Sequence, residues 1–378
     1  MKKNILIVSV IFLISLMVFS MSLFGCATTS QTTAAAETTA AKEVTMPTTA
    51  DGFRDVAGYL KTLDNSAFEI VQDNKATGHR WFDDMANGIE WFGKDYGVKA
   101  SNQAPDAGDA ALQNKILEDL IARLAPGKSA VICVPNDAKS MDPVAGKANA
   151  AGILTIGYEG TTMKNITYDM EAYDNEAFGA MMMENLAKSM NYEGEYGVSV
   201  GLLSMEVHMT WGNAGVAYQK AKYPKMKLVT ETFVESGNDA KKAYTAMEEA
   251  LKKYPNLKGW FAADGAMVPA AGQLIEEKNL FGKLFVSGLA LPSTVKNYIE
   301  SGAVSSVSCS NPIWQSYALG VVALAALRGI ELQPGDYLGQ PGYDIVSMEP
   351  GAGNNQIIWP HGEVTVTKEN YLDPGMDF

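Results

Sequence analysis

The sequence predicts an α/β fold of two similar lobes, each built on a parallel sheet, and three observations carry that expectation. Short apolar runs alternate with amphipathic helical stretches from Ser66 almost to the end, as strands joined by helical crossovers do. Runs such as Ala130–Val134 and Ile153–Ile156 are too apolar to alternate in and out, which places their sheet between two covering layers. The folded part is too long for one simple core, and no repeat marks a solenoid.

The first residues, MKKNILIVSVIFLISLMVFSMSLFGC, join two lysines to a long apolar run that stops at Leu23-Phe24-Gly25-Cys26. This is an export leader rather than a fold element. Its Leu-x-Gly-Cys ending resembles a bacterial lipoprotein signal, which implies lipidation at Cys26. The alternative, a plain membrane anchor, is nearly long enough to span but lacks a basic stop after the run. The Thr/Ala-rich stretch that follows cannot bury enough surface to fold and reads as a tether.

Phe68–Val71 reads as the first strand, ahead of a polar loop Gln72–Arg80. Met85, Ile89, Phe92 and Tyr96 share one helix face, and Gly97 stops that helix. After a weak strand at Val98, Leu112, Ile116, Leu120 and Leu124 recur every fourth residue on the next helix. Ala130–Glu159 is then a strand, a helix capped by Ser140, and a second strand. Asp174 caps a helix to about Met190, Tyr196–Leu203 is a strand, and a helix runs from about Asn213 to Pro224. Strands at Leu228–Phe233, Gly259–Ala262, Leu284–Gly288 and Val304–Ser308 alternate with helices, one of them capped by Asp239. Asn311 caps a helix opened by Pro312, whose Ala318–Leu327 run suits a buried core helix. The Gly/Pro-rich tail from Gln333 ends with short strands at Gln356–Trp359 and Glu363–Val366.

A net charge of −13 without a basic cluster argues against a nucleic-acid partner. Cys133 and Cys309 read as buried apolar residues rather than a disulfide. His79, His208 and His361 lack zinc-site spacing and read as loop or surface residues. Nucleophile-elbow, phosphate-loop and dinucleotide motifs are missing, so the chain is not expected to be an enzyme, and no cofactor is implied. In open α/β sheets ligands sit beyond the carboxyl ends of the strands. Lys75, Asn136, Glu159, Thr210, Trp211, Asp264 and Asn311 all follow strands there. Amides, carboxylates and a lysine supply hydrogen bonds to a polar, uncharged ligand, and aromatic faces cover its C–H patches. The plain readings stand beside this one: Lys75 as a solvated lysine, Asp264 and Asn311 as helix caps, and Trp81, Trp211 and Trp314 as core.

The segments QNKILEDLIARL, AVICVPNDAKSMDPVAGKANAAGILTIGYE, YDNEAFGAMMMENLAK and LKGWFAADGAMVPAAGQLIEE resemble the type I periplasmic sugar-binding proteins of ABC importers. The likeness is to the branch of autoinducer-2 and rhamnose binders. It implies two Rossmann-like lobes joined by a three-strand hinge that clamps a ligand, with crossings near Gly160, near Asn311 and before the tail strands. Residues 1–26 are then the signal peptide and 27–63 the tether and lead-in. Residues 64–160 with about 312–340 form the first lobe, and 161–311 with about 341–378 the second. In the loop NKATGHRWFDDMANG, Lys75 stands at the branch's ligand-binding lysine, with Trp81 and Phe82 beside it. Glu159 takes the place of an aspartate. Ala263, Asp264 and Gly265 occupy the second lobe's contact loop, and Asn311 with Gln315 the hinge. The autoinducer-2 binders have an adjacent Asp-Gln pair in the segment matching His208–Gly212, where this chain has Thr210 and Trp211. That difference favours a sugar stacked on Trp211. The resemblance implies a monomeric, lipid-anchored, extracytoplasmic receptor that hands a sugar-like molecule to an ABC permease. Alternatives are a nucleoside-binding lipoprotein, an autoinducer-2 or chemosensory receptor and, from another class, a surface glycan hydrolase.

Overall fold

The computed structural model describes residues 46–378 except positions 79, 107, 204, 374, 375 and 377, and the backbone alone of Glu206. The leader, Cys26 and most of the tether lie outside the described residues. The first lobe holds α1 (Val56–Lys61), β1 (Glu69–Asp73), α2 (Arg80–Tyr96), β2 (Lys99–Gln103), α3 (Ala110–Arg123), β3 (Ser129–Cys133), α4 (Ala138–Ala150), β4 (Leu154–Gly157) and β5 (Tyr168–Met170). The chain then builds the second lobe: α5 (Asn175–Ser189), β6 (Gly194–Val200), α6 (Glu206–Lys222), β7 (Met226–Leu228), β8 (Val234–Glu235), α7 (Ala240–Lys253), β9 (Leu257–Ala263), α8 (Met267–Glu277), β10 (Phe285–Leu289), α9 (Pro292–Ser301) and β11 (Ser306–Ser310). It returns with α10 (Pro312–Leu327), β12 (Ser347–Pro350) and β13 (Gln356–Trp359) to the first sheet, and ends with β14 (Glu363–Thr367) in the second.

The first sheet runs β12-β13-β5-β4-β3-β1-β2, parallel except for the β12/β13 pair. The second runs β14-β11-β10-β9-β6-β7, with β8 also on β6, and only β14 is antiparallel. The pleat explains why central strands such as β3 are apolar on both faces. Ile70, Ala130 and Ile132 point into a core with α1, α2 and α10, while Val71, Val131 and Cys133 point the other way against α3 and α4. In the second lobe Trp260 and Ala262 face α7, α8 and α9, and Phe261 and Ala263 face α5 and α6. α10 is buried along most of its length, as the Ala318–Leu327 run predicts. It crosses α2 so closely that a Cβ on Gly88 would collide with the Ile313 carbonyl. Cys133 and Cys309 are free and buried.

Several boundaries differ from the sequence reading, each for a physical reason. The fold begins before residue 64, because Val56, Ala57 and Leu60 of α1 are core residues and Arg54 pairs with buried Asp336 at 2.6 Å. The first crossing is not near Gly160: β5, too short and polar to stand out, keeps the chain in the first sheet to Met170. The third crossing falls between the tail strands, at Pro360–Gly362, since β13 pairs with β5 and β14 with β11. Asp137 rather than Ser140 caps α4, accepting from the Ser140 N–H at 2.7 Å. α6 starts at Glu206 rather than Asn213, which puts Thr210 and Trp211 on a helix.

Candidate functional site

The carboxyl ends of β1, β3 and β4 bring Lys75, Asn136 and Glu159 together. A buried glutamine on α3, Gln113, sets their geometry. Its amide nitrogen donates to the carbonyls of Asn74 (3.0 Å) and Val134 (2.8 Å), and its oxygen accepts from the Asn136 N–H (2.8 Å) and side chain (3.1 Å). Asn136 in turn donates to the Lys75 carbonyl at 2.8 Å. One polar side chain thus satisfies the loose ends of two strands and fixes the two loops that follow. No sequence signal marks Gln113 for this role.

Lys75 Nζ and Glu159 are joined by an ion pair whose side chains keep 24% and 25% of their exposure. Burial pushes the Glu159 carboxyl up, but the charge and hydrogen bond of Lys75 outweigh it, so the group titrates below the ordinary carboxylate range. Glu159 also sits at φ +56°, a left-handed conformation that costs a non-glycine residue about 1–3 kcal/mol and gathers at ligand-binding positions. Below it lie two buried carboxyls on and after β5, Asp169 and Glu171. Asp169 accepts from the Gly160 N–H at 3.1 Å, which tethers the loop carrying Glu159, and its carboxyl lies within hydrogen-bonding reach of the Glu171 carboxyl. Burial pushes Asp169 up to about 7, and burial with the neighbouring carboxylates holds Glu171 well above its ordinary range.

The second lobe contributes Asp264 and His208. Asp264 is fully buried, accepting from Ser199 Oγ at 2.7 Å and from the N–H groups of Ala266 and Met267. It therefore caps α8 as well as facing the strand ends. His208, which the sequence reading set aside as a loop or surface residue, lies on α6 with its Nδ1 accepting from the Gly201 N–H at 3.0 Å. Burial lowers its pKa, Asp264 and the first lobe's Glu159 raise it, Lys75 lowers it, and the net shift is downward.

Trp211 does not offer the open face expected of it. Only 6% is exposed, its indole N–H donates to Asn175 at 2.7 Å, and it stacks against the His208 ring with centroids 5.3 Å apart. Thr210 is half-buried on the same helix. Ala263 is buried and Gly265 exposed on either side of Asp264. Trp81, Phe82 and Trp314 pack against the first lobe's core. Asn311 caps α10 through its oxygen, accepting from the Ile313 N–H at 3.0 Å. Gln315 is buried with its side chain within hydrogen-bonding reach of Tyr158. His79 lies outside the described residues, and His361 pairs with Asp344 at 2.9 Å.

Among the described residues no group of three or more His, Cys, Asp or Glu is arranged to hold a metal, and no helix is long and apolar enough to cross a membrane. A cavity of about 530 Å³ lies beside the first and third crossings, walled by Tyr173, Phe178 and Trp359. None of the strand-end residues lines it, so its size does not make it the site.

The sequence profile of the periplasmic binding protein domain matches residues 70–331. A D-ribose/D-allose-binding protein of Pseudomonas aeruginosa is 25% identical over 240 residues, 61% of this chain and 73% of the relative. Among solved structures, a solute-binding protein of Clostridium phytofermentas with bound L-rhamnose superposes with a TM-score of 0.68 at 17% identity, covering 81% of this chain and 97% of the other. LsrB of Clostridium saccharobutylicum in complex with AI-2 gives 0.66 at 18% identity, covering 80% and 98%.

Proposed function

The chain belongs to the periplasmic binding protein family and has its type I fold, and from that premise we propose that it captures a small sugar between its two lobes for delivery to an ABC importer. The observation that carries the reading is the gathering of Lys75, Asn136 and Glu159 at the carboxyl ends of the first sheet's strands, with Asp264 and His208 at the carboxyl ends of β9 and β6 in the second. Donors and acceptors alternate across the cleft, as hydroxyls that both give and accept hydrogen bonds require. Lys75, Asn136, Glu159 and Asp264 are the proposed polar contacts. Asn311 and Gln315 stand at the second crossing, where closure bends the chain. The ribose, allose and rhamnose named for a relative and a neighbour support a sugar as the ligand class. The Leu-x-Gly-Cys ending supports anchoring through lipid on Cys26, on the outer side of the cytoplasmic membrane or in the periplasm, with the chain acting as a monomer.

A melting-temperature screen against pentoses, hexoses and deoxysugars tests the proposal. A sugar bound only by the folded state raises the melting point by an amount that grows with its concentration, and mass spectrometry then recovers that sugar unchanged. Absence of any shift across the panel overturns the sugar reading, and conversion of the sugar overturns the binding-only reading.

A further inference from the structure

This inference rests on the sugar-binding reading and deepens it. We propose that His208, with Trp211 behind it, is the second lobe's reader of the ligand, donating its Nε2–H to an oxygen of an uncharged polyhydroxylated molecule.

Three features of the side chain lead there. The Gly201 N–H donates to Nδ1 at 3.0 Å, so Nδ1 is the acceptor and the neutral ring carries its proton on Nε2. The indole of Trp211 lies nearly parallel to the imidazole, 21° between planes, and is itself held by Asn175. Ring plane and tautomer are therefore both fixed before any ligand arrives, which spares the binding step the cost of ordering them. Finally, Gly201 directly follows β6, so its bond to Nδ1 holds the ring at the carboxyl end of that strand, the edge of an open α/β sheet where ligands sit.

The surrounding charges define the ligand class. Lys75 is already neutralised by Glu159. Asp264 adds a further carboxylate from the second lobe, and buried Asp169 and Glu171 lie behind the first. A carboxylated or phosphorylated sugar entering here meets the carboxylates of Glu159 and Asp264 while Lys75 is already paired, and like-charge contact in a partly buried site is costly. Hydroxyls suffer no such penalty. Glu159 and Asp264 accept from them, and Lys75 and His208 donate to them. The sequence places His208 in the segment where a sugar platform was expected at Trp211. The structure shifts the contact by one helical turn to the residue that the indole supports.

The test uses His208→Asn and His208→Ala, with the sugar that most raises the wild-type melting point as probe. Asparagine Oδ1 can still accept from the Gly201 N–H, whereas nothing replaces Nε2–H; alanine removes both. Titration calorimetry is expected to show His208→Asn binding about tenfold more weakly while its ligand-free melting point stays at the wild-type value. His208→Ala loses both affinity and melting temperature. Wild-type affinity in His208→Asn overturns the inference alone, because the sugar still binds and His208 is then only a cap for Gly201. Failure of every sugar to bind the wild type overturns the underlying reading instead. A uronic acid of the same ring stereochemistry is the third arm: binding as tight as that of the neutral sugar contradicts the uncharged class, and loss of its binding supports it.

Discussion

Replacing Asp169 with asparagine should stabilise the protein at neutral and alkaline pH. The side chain is fully buried behind Glu159, one oxygen accepts from the Gly160 N–H at 3.1 Å, and the Glu171 carboxyl lies within hydrogen-bonding reach. Burial is the largest influence and raises the group to about 7, against an unfolded value near 3.9. Between about pH 4 and 7 the native state therefore holds a proton that the unfolded chain has released. Native stability falls as pH rises through that window, and the full penalty is present above about 7. A difference of about three pKa units corresponds to roughly 4 kcal/mol, an upper bound for Asp169 because Glu171 titrates with it. The amide oxygen of an asparagine here can keep the hydrogen bond from Gly160, and the side chain cannot ionise. Denaturant unfolding at pH 4, 6 and 8 should show Asp169→Asn close to wild type at the lowest pH, with a gain of up to this size at the highest. A variant less stable than wild type by the same amount at every pH would refute the reasoning, because the carboxyl would then be doing something other than enduring burial.

Other expectations follow from the same geometry. Lys75→Ala and Glu159→Ala should each weaken sugar binding at least about tenfold, near 1.4 kcal/mol by calorimetry; normal affinity in both moves the site elsewhere. Gly88→Ala should lower the melting point, because the added methyl meets the Ile313 carbonyl where α2 crosses α10; overpacking of this kind costs about 1–3 kcal/mol, and an unchanged melting curve argues against so close a crossing. Arg54→Ala leaves Asp336 buried with only the Gln333 N–H, at 2.9 Å, as a remaining partner. Stripping one member from such a pair costs about 3–5 kcal/mol when both are buried, and less here because Arg54 is partly exposed. A neutral effect on unfolding would show that residues before α1 are not part of the fold.

The alternation of strands and helices was legible because both sheets are covered on both faces, so central strands such as β3 read as apolar runs. What could not be read were the places where tertiary context overrides local pattern. α1 is a six-residue helix whose stability comes from lying on α10, and isolated helices that short do not hold. β5 is three residues long and belongs to the first sheet only through its neighbours β4 and β13. Pro360-His361-Gly362 looks like a hairpin turn, and nothing local says that the strands flanking it join different sheets.

The site shows the same division. Lys75, Asn136, Glu159 and Asp264 could be singled out because strand ends face the crevice in an open sheet. Their supports could not. Gln113 is one glutamine among many until its three carbonyl partners, on Asp73, Asn74 and Val134, are seen. The φ of Glu159 has no sequence signature, and burial of Asp169 and Glu171 follows from a strand too short to recognise. Trp211 misled because a tryptophan after a strand suggests a stacking platform, whereas the earlier start of α6 turns it into the second lobe's core.

The central claim is that one small ligand is held by both lobes at once. A crystal structure of the chain grown with the sugar that most raises its melting point measures this directly. The account predicts density for the sugar touching Lys75 and Glu159 on one side and Asp264 on the other. A sugar seated on a single lobe, or in the cavity beside Trp359, would contradict it.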